Sequence, residues 1–276
     1  MMTAIAQPFV APISPLVDIG VNLTDVRFAE DRADVIQRAF DIGIEQMILT
    51  GTSLTCSTES LNLAHDYPAR LFSTAGCHPH HASEWDGEYE KALTQLWVDP
   101  ACVAVGEAGL DFNRNFSTPA QQCEAFEAQL AQAAAHQLPM FVHEREAGET
   151  LAAMIRPWRD QIPGLVVHCF TGHREDLYRY LDLDLYIGLT GWICDERRGT
   201  HLQPLVQEIP EQRLMLETDA PYLMPRTQRP RPPKGRNEPA CLPWVLAQLS
   251  QWTARDPVEW ARLTTDNARR FFRLPR

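Results

Sequence analysis

The chain has 276 residues, 45% of them hydrophobic and 22% charged, which is the composition of an ordinary globular protein. Its formal net charge of −11 argues against indiscriminate binding to nucleic acid, although it leaves room for a local basic groove. No apolar run approaches the roughly 20 residues that span a bilayer, and the seven cysteines form no CxxC pair, which is typical of a reducing compartment.

Short apolar segments alternate with helical patterns along the chain. Residues 1–15 are predicted to be a loose tail, followed by a single domain over residues 16–276. The predicted strands cover residues 16–22, 44–50, 71–75, 102–106, 139–143, 164–168, 185–189 and 213–217. The clearest helix is predicted over 118–137, with Thr118 as its N-cap.

This alternation predicts an α/β protein, a (β/α)8 TIM barrel, with a doubly wound open sheet as the alternative. The sequence contains no GxGxxG after the first strand and no GxxxxGK[ST], so folds that bind nucleotide cofactors lose support.

Metal-competent side chains follow four of the predicted strands. Glu107 comes after strand four, His143 and His168 end strands five and six, and Asp219 follows strand eight. Strand ends meet at one face of a barrel, and carboxylate with neutral imidazole suits Mg²⁺, Mn²⁺ or Zn²⁺. A single histidine such as His168 is more often a core residue, but four such groups together predict a divalent-metal site.

Other polar residues near the strand ends are expected to contact substrate. His78 follows strand three and is expected to touch substrate, whereas its neighbours His80 and His81 are expected in a solvated loop. Glu217 is not expected to be a ligand. The arginines predicted to bind substrate are Arg114, Arg145, Arg197 and Arg236.

Arg236 belongs to the run "RTQRPRPPKGR", residues 226–236, which contains Lys234 and no acid. This run follows strand eight, so we expect it to form a basic loop on the catalytic face.

Several motifs together resemble the TatD family of metal-dependent deoxyribonucleases. They are "VDIGVNLT", "STAGCHPHHAS", "GEAGLDFNRNFSTPAQQ", "VVHCFTG", "YIGLTGWICDERRG", "LETDAPYLMPR" and "RNEPACLP", and the resemblance extends from about Asp18 to Phe272. The resemblance implies a barrel of the metal-dependent hydrolase type and a Mg²⁺-dependent 3′→5′ exonuclease. The implied substrates are single-stranded DNA and RNA, with a role in repair of oxidative DNA damage.

The resemblance also implies roles for residues of this chain. Glu107, His143, His168 and Asp219 would bind the metal, and Glu107 and Asp219 would be catalytic. One departure concerns strand one, where many members carry Asp-x-His-x-His. This chain has Asp18, Gly20 and Asn22 there and no imidazole, so we expect one firmly bound ion.

Two other functions remain open at this stage. One is an amidohydrolase-type enzyme acting on a small amide or lactone, and the other is a catalytically weak nucleic-acid-binding protein. The two lysines, Lys91 and Lys234, do not end predicted strands, which disfavours a lysine-bridged metal pair. We expect a cytoplasmic monomer with no membrane partner.

Overall fold

The computed structural model describes residues 6–231 and 235–276 and shows eight parallel strands in one sheet, in chain order. The last strand returns to the first. Asn22 N donates to Ala220 O at 2.7 Å, and Asp219 N donates to Gly20 O at 2.8 Å. Val21 and Ala220 form a parallel bridge at the same place. The sheet therefore closes into the predicted (β/α)8 barrel, and the open-sheet alternative is wrong.

The elements alternate as expected. The strands are β1 (Leu16–Val21), β2 (Ile44–Leu49), β3 (Leu71–Ala75), β4 (Cys102–Asp111), β5 (Met140–Arg145), β6 (Leu165–Val167), β7 (Tyr186–Leu189) and β8 (Leu214–Leu216). The helices are α1 (Arg32–Asp41), α2 (Leu54–His65), α3 (Gly87–Trp97), α4 (Pro119–His136), α5 (Gly148–Ile155), α6 (Arg174–Asp182), α7 (Leu202–Val206), α8 (Leu242–Thr253) and α9 (Pro257–Phe272). Strand β4 is longer than predicted, so Glu107 lies inside it rather than after it.

Helix α4 begins directly after Thr118, as predicted, and ends at His136, one residue before the predicted end. The Thr118 side chain accepts a hydrogen bond from Gln121 N, and the Gln121 side chain accepts one from Thr118 N, which forms a capping box. At the other end Gln137 adopts the left-handed conformation with φ 53°, which terminates the helix.

Alternation along the strands decides which side chains enter the barrel. Phe141, Val166 and Met215 belong to an apolar cluster with residues of other strands and of α9, whereas their neighbours in sequence pack in the layer beneath the helices. Successive strand residues point to opposite faces. The residues two positions later therefore also face the barrel interior, at its C-terminal end: His143, His168 and Glu217.

The described part of the predicted tail lies against the barrel. Trp244 Nε1 donates to Ala6 O at 2.9 Å, and Gln7 Nε2 donates to Ala240 O at 3.0 Å. Of the residues that the structure describes, none forms a helix long and apolar enough to cross a membrane.

Asp18 is fully buried between β1 and the segment that follows β8. Its Oδ1 accepts hydrogen bonds from Thr218 N at 2.9 Å and Gly20 N at 3.3 Å, and its Oδ2 contacts Thr218 Oγ1 at 2.5 Å. Burial outweighs these hydrogen bonds and raises the pKa of Asp18 to about 8. Asp18 therefore joins the two closing strands as a largely protonated group at neutral pH.

The Asp18→Asn variant is expected to lose part of the pH dependence of stability. The folded pKa of about 8 lies above the ordinary value of about 3.9, so the folded chain keeps a proton that the unfolded chain loses. This stabilisation is complete below pH about 4 and is lost as the pH rises towards 8, by up to about 1.4 kcal/mol per pH unit. Urea denaturation from pH 5 to 8 should show the free energy of unfolding shifting in favour of the variant. A difference that does not change with pH would mean that Asp18 is ionised when folded.

Candidate metal centre

Three imidazoles converge on one buried carboxylate oxygen. Glu107 Oε1 lies 2.8 Å from His168 Nε2, 2.9 Å from His143 Nδ1 and 3.3 Å from His78 Nε2. Glu107 is only 6% exposed, so water contributes little to balancing its charge. The structure thus brings together three of the four predicted ligands, with His78 beside them.

The electrostatics of this cluster favour a positive charge. Burial acts to raise the pKa of Glu107, but the nearby His168 and His78 hold it well below its usual range. Burial acts to lower the pKa of His168, but Glu107 and Glu217 bring it well above its usual value. One carboxylate with imidazole nitrogens turned towards it is a donor set that fits a divalent cation in place of the protons.

His78 is better suited to donate a hydrogen bond than to bind a metal. Its ligand atom lies within 4.8 Å of those of Glu107 and His143, close enough for a shared ion. However, His80 N donates to His78 Nδ1 at 3.1 Å, so the neutral ring carries its proton on Nε2. Burial lowers the pKa of His78 to about 4, which keeps the ring neutral. The Nε2–H group therefore points at Glu107 as a donor.

Asp219 is held by a residue of the first strand. Asn22 Nδ2 donates to Asp219 Oδ1 at 3.0 Å, and Asp219 Oδ2 has no hydrogen-bond partner in the described part of the chain. Burial, with help from nearby carboxylates and against the charge of His168, raises the pKa of Asp219 to about 7. The first strand thus contributes an amide that orients Asp219 rather than a ligand.

Glu217 fills the space that a side chain at position 20 would need. It is fully buried, and its Oε1 accepts a hydrogen bond from Cys169 N at 2.5 Å. Its Oε2 lies 3.4 Å from His168 Nδ1, and neither atom has another partner in the described part of the chain. A Cβ at Gly20 would lie 2.4 Å from Glu217 Oε2, and a Cβ at Gly188 would lie 2.6 Å from Oε1.

Side chains two residues apart on a strand point to the same face. Because Met215 faces the barrel interior, the sequence indicates that Glu217 does so too. We did not expect Glu217 to be a ligand, and the structure places it behind His168, where it can fix the orientation of the ring.

The Gly20→Ala variant is expected to be destabilised by about 1–3 kcal/mol, because the added methyl group meets Glu217 and, at 2.9 Å, the Phe141 ring. Chemical denaturation measures the change. Gly87→Ala is the matched control, since nothing lies within 4 Å of a Cβ there, and it should not lose stability. Equal stability of the two variants would show that Glu217 moves away at no cost.

A second carboxylate, Asp111, supports the imidazoles from the other side. Asp111 Oδ2 lies 2.8 Å from His80 Nε2 and 3.5 Å from His143 Nε2, while Oδ1 accepts a hydrogen bond from Arg114 N at 2.9 Å. The expectation that His80 is a solvated loop residue is therefore wrong. His81 does lie at the surface, where its Nδ1 is 2.9 Å from Glu84 Oε1.

Gly109 of the "GEAGLD" motif is required by close packing of the backbone. It has φ 143°, and a Cβ there would lie 2.0 Å from His143 O on the neighbouring strand. The glycine lets β4 approach β5 closely, so that Glu107 and His143 can meet.

The cluster lies in a cavity of about 630 Å³ at the C-terminal end of the barrel. Arg114 and Arg145, two of the arginines predicted to bind substrate, line this cavity, and so do Asp219 and Asn22. Asp219, the fourth predicted ligand, therefore shares the cavity with the other three.

Two other predicted arginines are not among the residues that line the cavity. Arg197 Nη2 lies 3.1 Å from Asp195 Oδ2. Arg236 Nη2 lies 2.7 Å from both Asp31 Oδ2 and Glu238 Oε1.

Two arginines of the basic run 226–236 are paired with acids, whereas Arg229 donates to the backbone oxygens of Arg226 and Gln228. Arg226 Nη2 lies 2.8 Å from Glu196 Oε1, and Arg236 is held by the two acids named above. Lys234 lies outside the described residues. The sequence shows the run as a block of positive charge because two of its acidic partners, Asp31 and Glu196, are distant in the chain.

Comparison with known proteins gives matches over nearly the whole chain. The family model described as TatD-related DNase matches residues 17–273. A Salmonella typhimurium protein named 3′-5′ ssDNA/RNA exonuclease TatD is 50% identical over 257 residues, which is 93% of this chain and 98% of that protein. A protein of the same name from Erwinia tasmaniensis is 52% identical over 257 residues, covering 93% and 99% of the two chains.

Solved structures share the same architecture. The TatD homologue YJJV from Escherichia coli is 26% identical with a TM-score of 0.85, covering 94% of this chain and 98% of its own. A TatD family hydrolase from Entamoeba histolytica is 25% identical with a TM-score of 0.83, covering 95% and 99%.

Proposed function

The chain belongs to the family of TatD-related DNases and is a nuclease, and we propose that it is a divalent-metal-dependent 3′→5′ exonuclease acting on single-stranded DNA and RNA. The observation that carries the proposal is the convergence of His143 and His168 on Glu107 Oε1 inside the barrel cavity, at 2.9 and 2.8 Å. Relatives that share half of the sequence are named for this activity.

In this proposal Glu107, His143 and His168 hold a divalent cation, and Asp219 lies in the same cavity. Mg²⁺ is the proposed native ion, and Mn²⁺ and Zn²⁺ also suit a carboxylate–imidazole donor set. When bound, such an ion makes water more acidic and offsets the charge of a phosphodiester.

Asp219 is the proposed general base. Its Oδ1 is held by Asn22 at 3.0 Å, which leaves Oδ2 to orient and deprotonate the attacking water. Attack at phosphorus breaks the P–O3′ bond, so the terminal nucleotide leaves as a nucleoside 5′-monophosphate and the shortened strand keeps a 3′-hydroxyl.

Other residues of the cavity would bind the phosphate. His78 lines the cavity, and its Nε2–H would be free to donate to a non-bridging oxygen once Glu107 binds the ion, while Arg114 and Arg145 supply positive charge from the cavity wall. Roles for Arg197 and Arg236 remain part of the proposal, but their ion pairs with acids make them the weaker candidates.

The proposal also covers the cellular compartment, the oligomeric state and the cellular role of the protein. Its seven cysteines are free, which supports a reducing, cytoplasmic environment and a single chain without disulfides. A monomer and a role in repair after oxidative damage complete the proposal, the latter on the family resemblance alone. The amidohydrolase alternative loses support because no lysine lines the cavity among the described residues.

The Arg145→Ala and Arg114→Ala variants are expected to raise KM for single-stranded DNA several-fold. They should also make binding less dependent on salt, with a slope smaller by about 0.7 for each phosphate that the arginine neutralises. Arg197→Ala should change KM less, because the guanidinium is already engaged by Asp195. Steady-state kinetics measures KM, and fluorescence anisotropy at several salt concentrations measures the slope. A larger effect of Arg197→Ala than of the other two variants would mean that the DNA strand contacts Arg197 rather than Arg114 and Arg145.

The experiment that tests the function uses oligonucleotides labelled at the 5′ or the 3′ end, single- or double-stranded, with Mg²⁺, Mn²⁺, Zn²⁺ or EDTA. The proposal predicts early release of the 3′ label as a mononucleotide, progressive shortening of the 5′-labelled strand, and no reaction in EDTA. Early release of the 5′ label, or reaction in EDTA, would contradict it.

A further inference from the structure

The wall of the cavity is divided by charge. Its arginines are Arg114, in the turn after β4, and Arg145, at the end of β5. The part of the cavity wall that is built by the segments after β1, β2 and β8 carries hydroxyl groups and carboxylates instead of arginines. We call it the hydroxyl lobe, and the residues used to define it are Thr24, Asp25, Thr52, Ser53, Glu59 and Tyr222. Within the described chain, no lysine or arginine lines this lobe.

The hydroxyl lobe adjoins the proposed base. Asn22, which holds Asp219, begins the segment that continues to Thr24 and Asp25. Thr24 Oγ1 lies 3.5 Å from Cys56 Sγ, which joins the segment after β1 to helix α2. The lobe therefore begins beside the proposed reaction centre and extends away from the arginines.

The lobe contains an aromatic surface. Tyr222 is 48% exposed, and the Arg27 guanidinium lies 4.2 Å from its ring centre. The Arg27 guanidinium is also bound to Asp25, with Nη2 2.7 Å from Oδ2, so its charge is already balanced. A stacking platform beside hydroxyl groups suits a base and its sugar rather than a phosphate.

Glu59 gives the hydroxyl lobe a negative charge. The carboxylate of Glu59 lies on the exposed face of α2 and has neither an ion pair nor a hydrogen-bond partner among the residues described. An unpaired carboxylate repels a second anion and accepts hydrogen bonds from hydroxyl groups.

We propose that the hydroxyl lobe binds the 3′-terminal nucleoside and selects strands that end in a 3′-hydroxyl over strands that end in a 3′-phosphate. The inference rests on the proposed exonuclease function. Phosphates on the 5′ side of the cleaved bond then run along Arg114 and Arg145. The terminal nucleoside carries no further phosphate, so it fits the part of the cavity that Arg114 and Arg145 do not line.

The test compares two oligonucleotides with the same sequence and 5′ label, one ending in a 3′-hydroxyl and the other in a 3′-phosphate. Wild-type protein with Mg²⁺ should degrade the 3′-hydroxyl strand with kcat/KM at least about tenfold higher. Glu59→Gln should reduce this ratio several-fold through faster degradation of the 3′-phosphate strand. Glu124→Gln, an exposed glutamate on α4, is the matched control and should leave the ratio unchanged.

The failures are distinguishable. Equal rates on the two strands in the wild type, or a ratio that Glu59→Gln does not change, would overturn the role of the lobe while leaving the exonuclease intact. Absence of 3′-end degradation on both strands would overturn the proposed function and this inference with it.

Discussion

The Glu107→Gln variant is expected to lose divalent-metal binding and to lose nuclease activity by roughly a thousandfold or more, since a catalytic ion contributes several kcal/mol to the transition state. The replacement keeps the shape of the side chain but removes the charge that His143, His168 and His78 surround. Isothermal titration with Mn²⁺ measures binding, and release of mononucleotides from single-stranded DNA measures activity.

Glu144→Gln is the matched control for this change. Glu144 lines the same cavity, but its Oε1 accepts a hydrogen bond from Ala147 N at 2.8 Å rather than contacting the imidazoles. It should retain metal binding. A folded Glu107→Gln protein that still bound Mn²⁺ with wild-type affinity would place the ion elsewhere.

The Asp219→Asn variant is expected to lower kcat by about 10²–10⁴-fold, the usual contribution of a positioned general base. Its affinity for Mn²⁺ should fall much less than that of Glu107→Gln, because Glu107 and the two histidines remain. Single-turnover kinetics together with Mn²⁺ titration separate the two effects.

Asn22→Ala tests the orientation of Asp219 in the same assay. It removes the 3.0 Å hydrogen bond to Oδ1 but leaves the carboxylate in place, so kcat should fall less than in Asp219→Asn. An Asp219→Asn variant with wild-type kcat would exclude Asp219 as the base.

The fold could be predicted because its signals are local. Apolar strand segments and capping residues lie in continuous stretches, and the box formed by Thr118 and Gln121 set the start of α4 within one residue. The C-terminal end of β4 was harder to predict. Apart from Leu110, the residues from Glu107 to Asp111 are polar or small, but pairing with β5 keeps them in the sheet.

The direction of a side chain could be predicted from the sequence where its position on a strand decides it. His143 and His168 follow inward-facing residues by two positions and therefore face Glu107. The surroundings of a side chain could not be predicted where pairing with a distant part of the chain decides them. His80 is held by Asp111, and Arg236 pairs with Asp31 as well as with its near neighbour Glu238.

Position 20 shows how a missing residue type can be explained by packing. The absence of an imidazole at Gly20 suggested an incomplete metal motif. The carboxylate of Glu217 occupies that space and lies against His168, so glycine there is a requirement of this packing.

Anomalous diffraction from crystals soaked in Mn²⁺ tests the central claim most directly. One fully occupied ion is predicted, with ligand distances of about 2.0–2.3 Å to Glu107, His143 and His168. Two fully occupied ions in the absence of substrate, or no anomalous peak at Glu107, would contradict this account of the site.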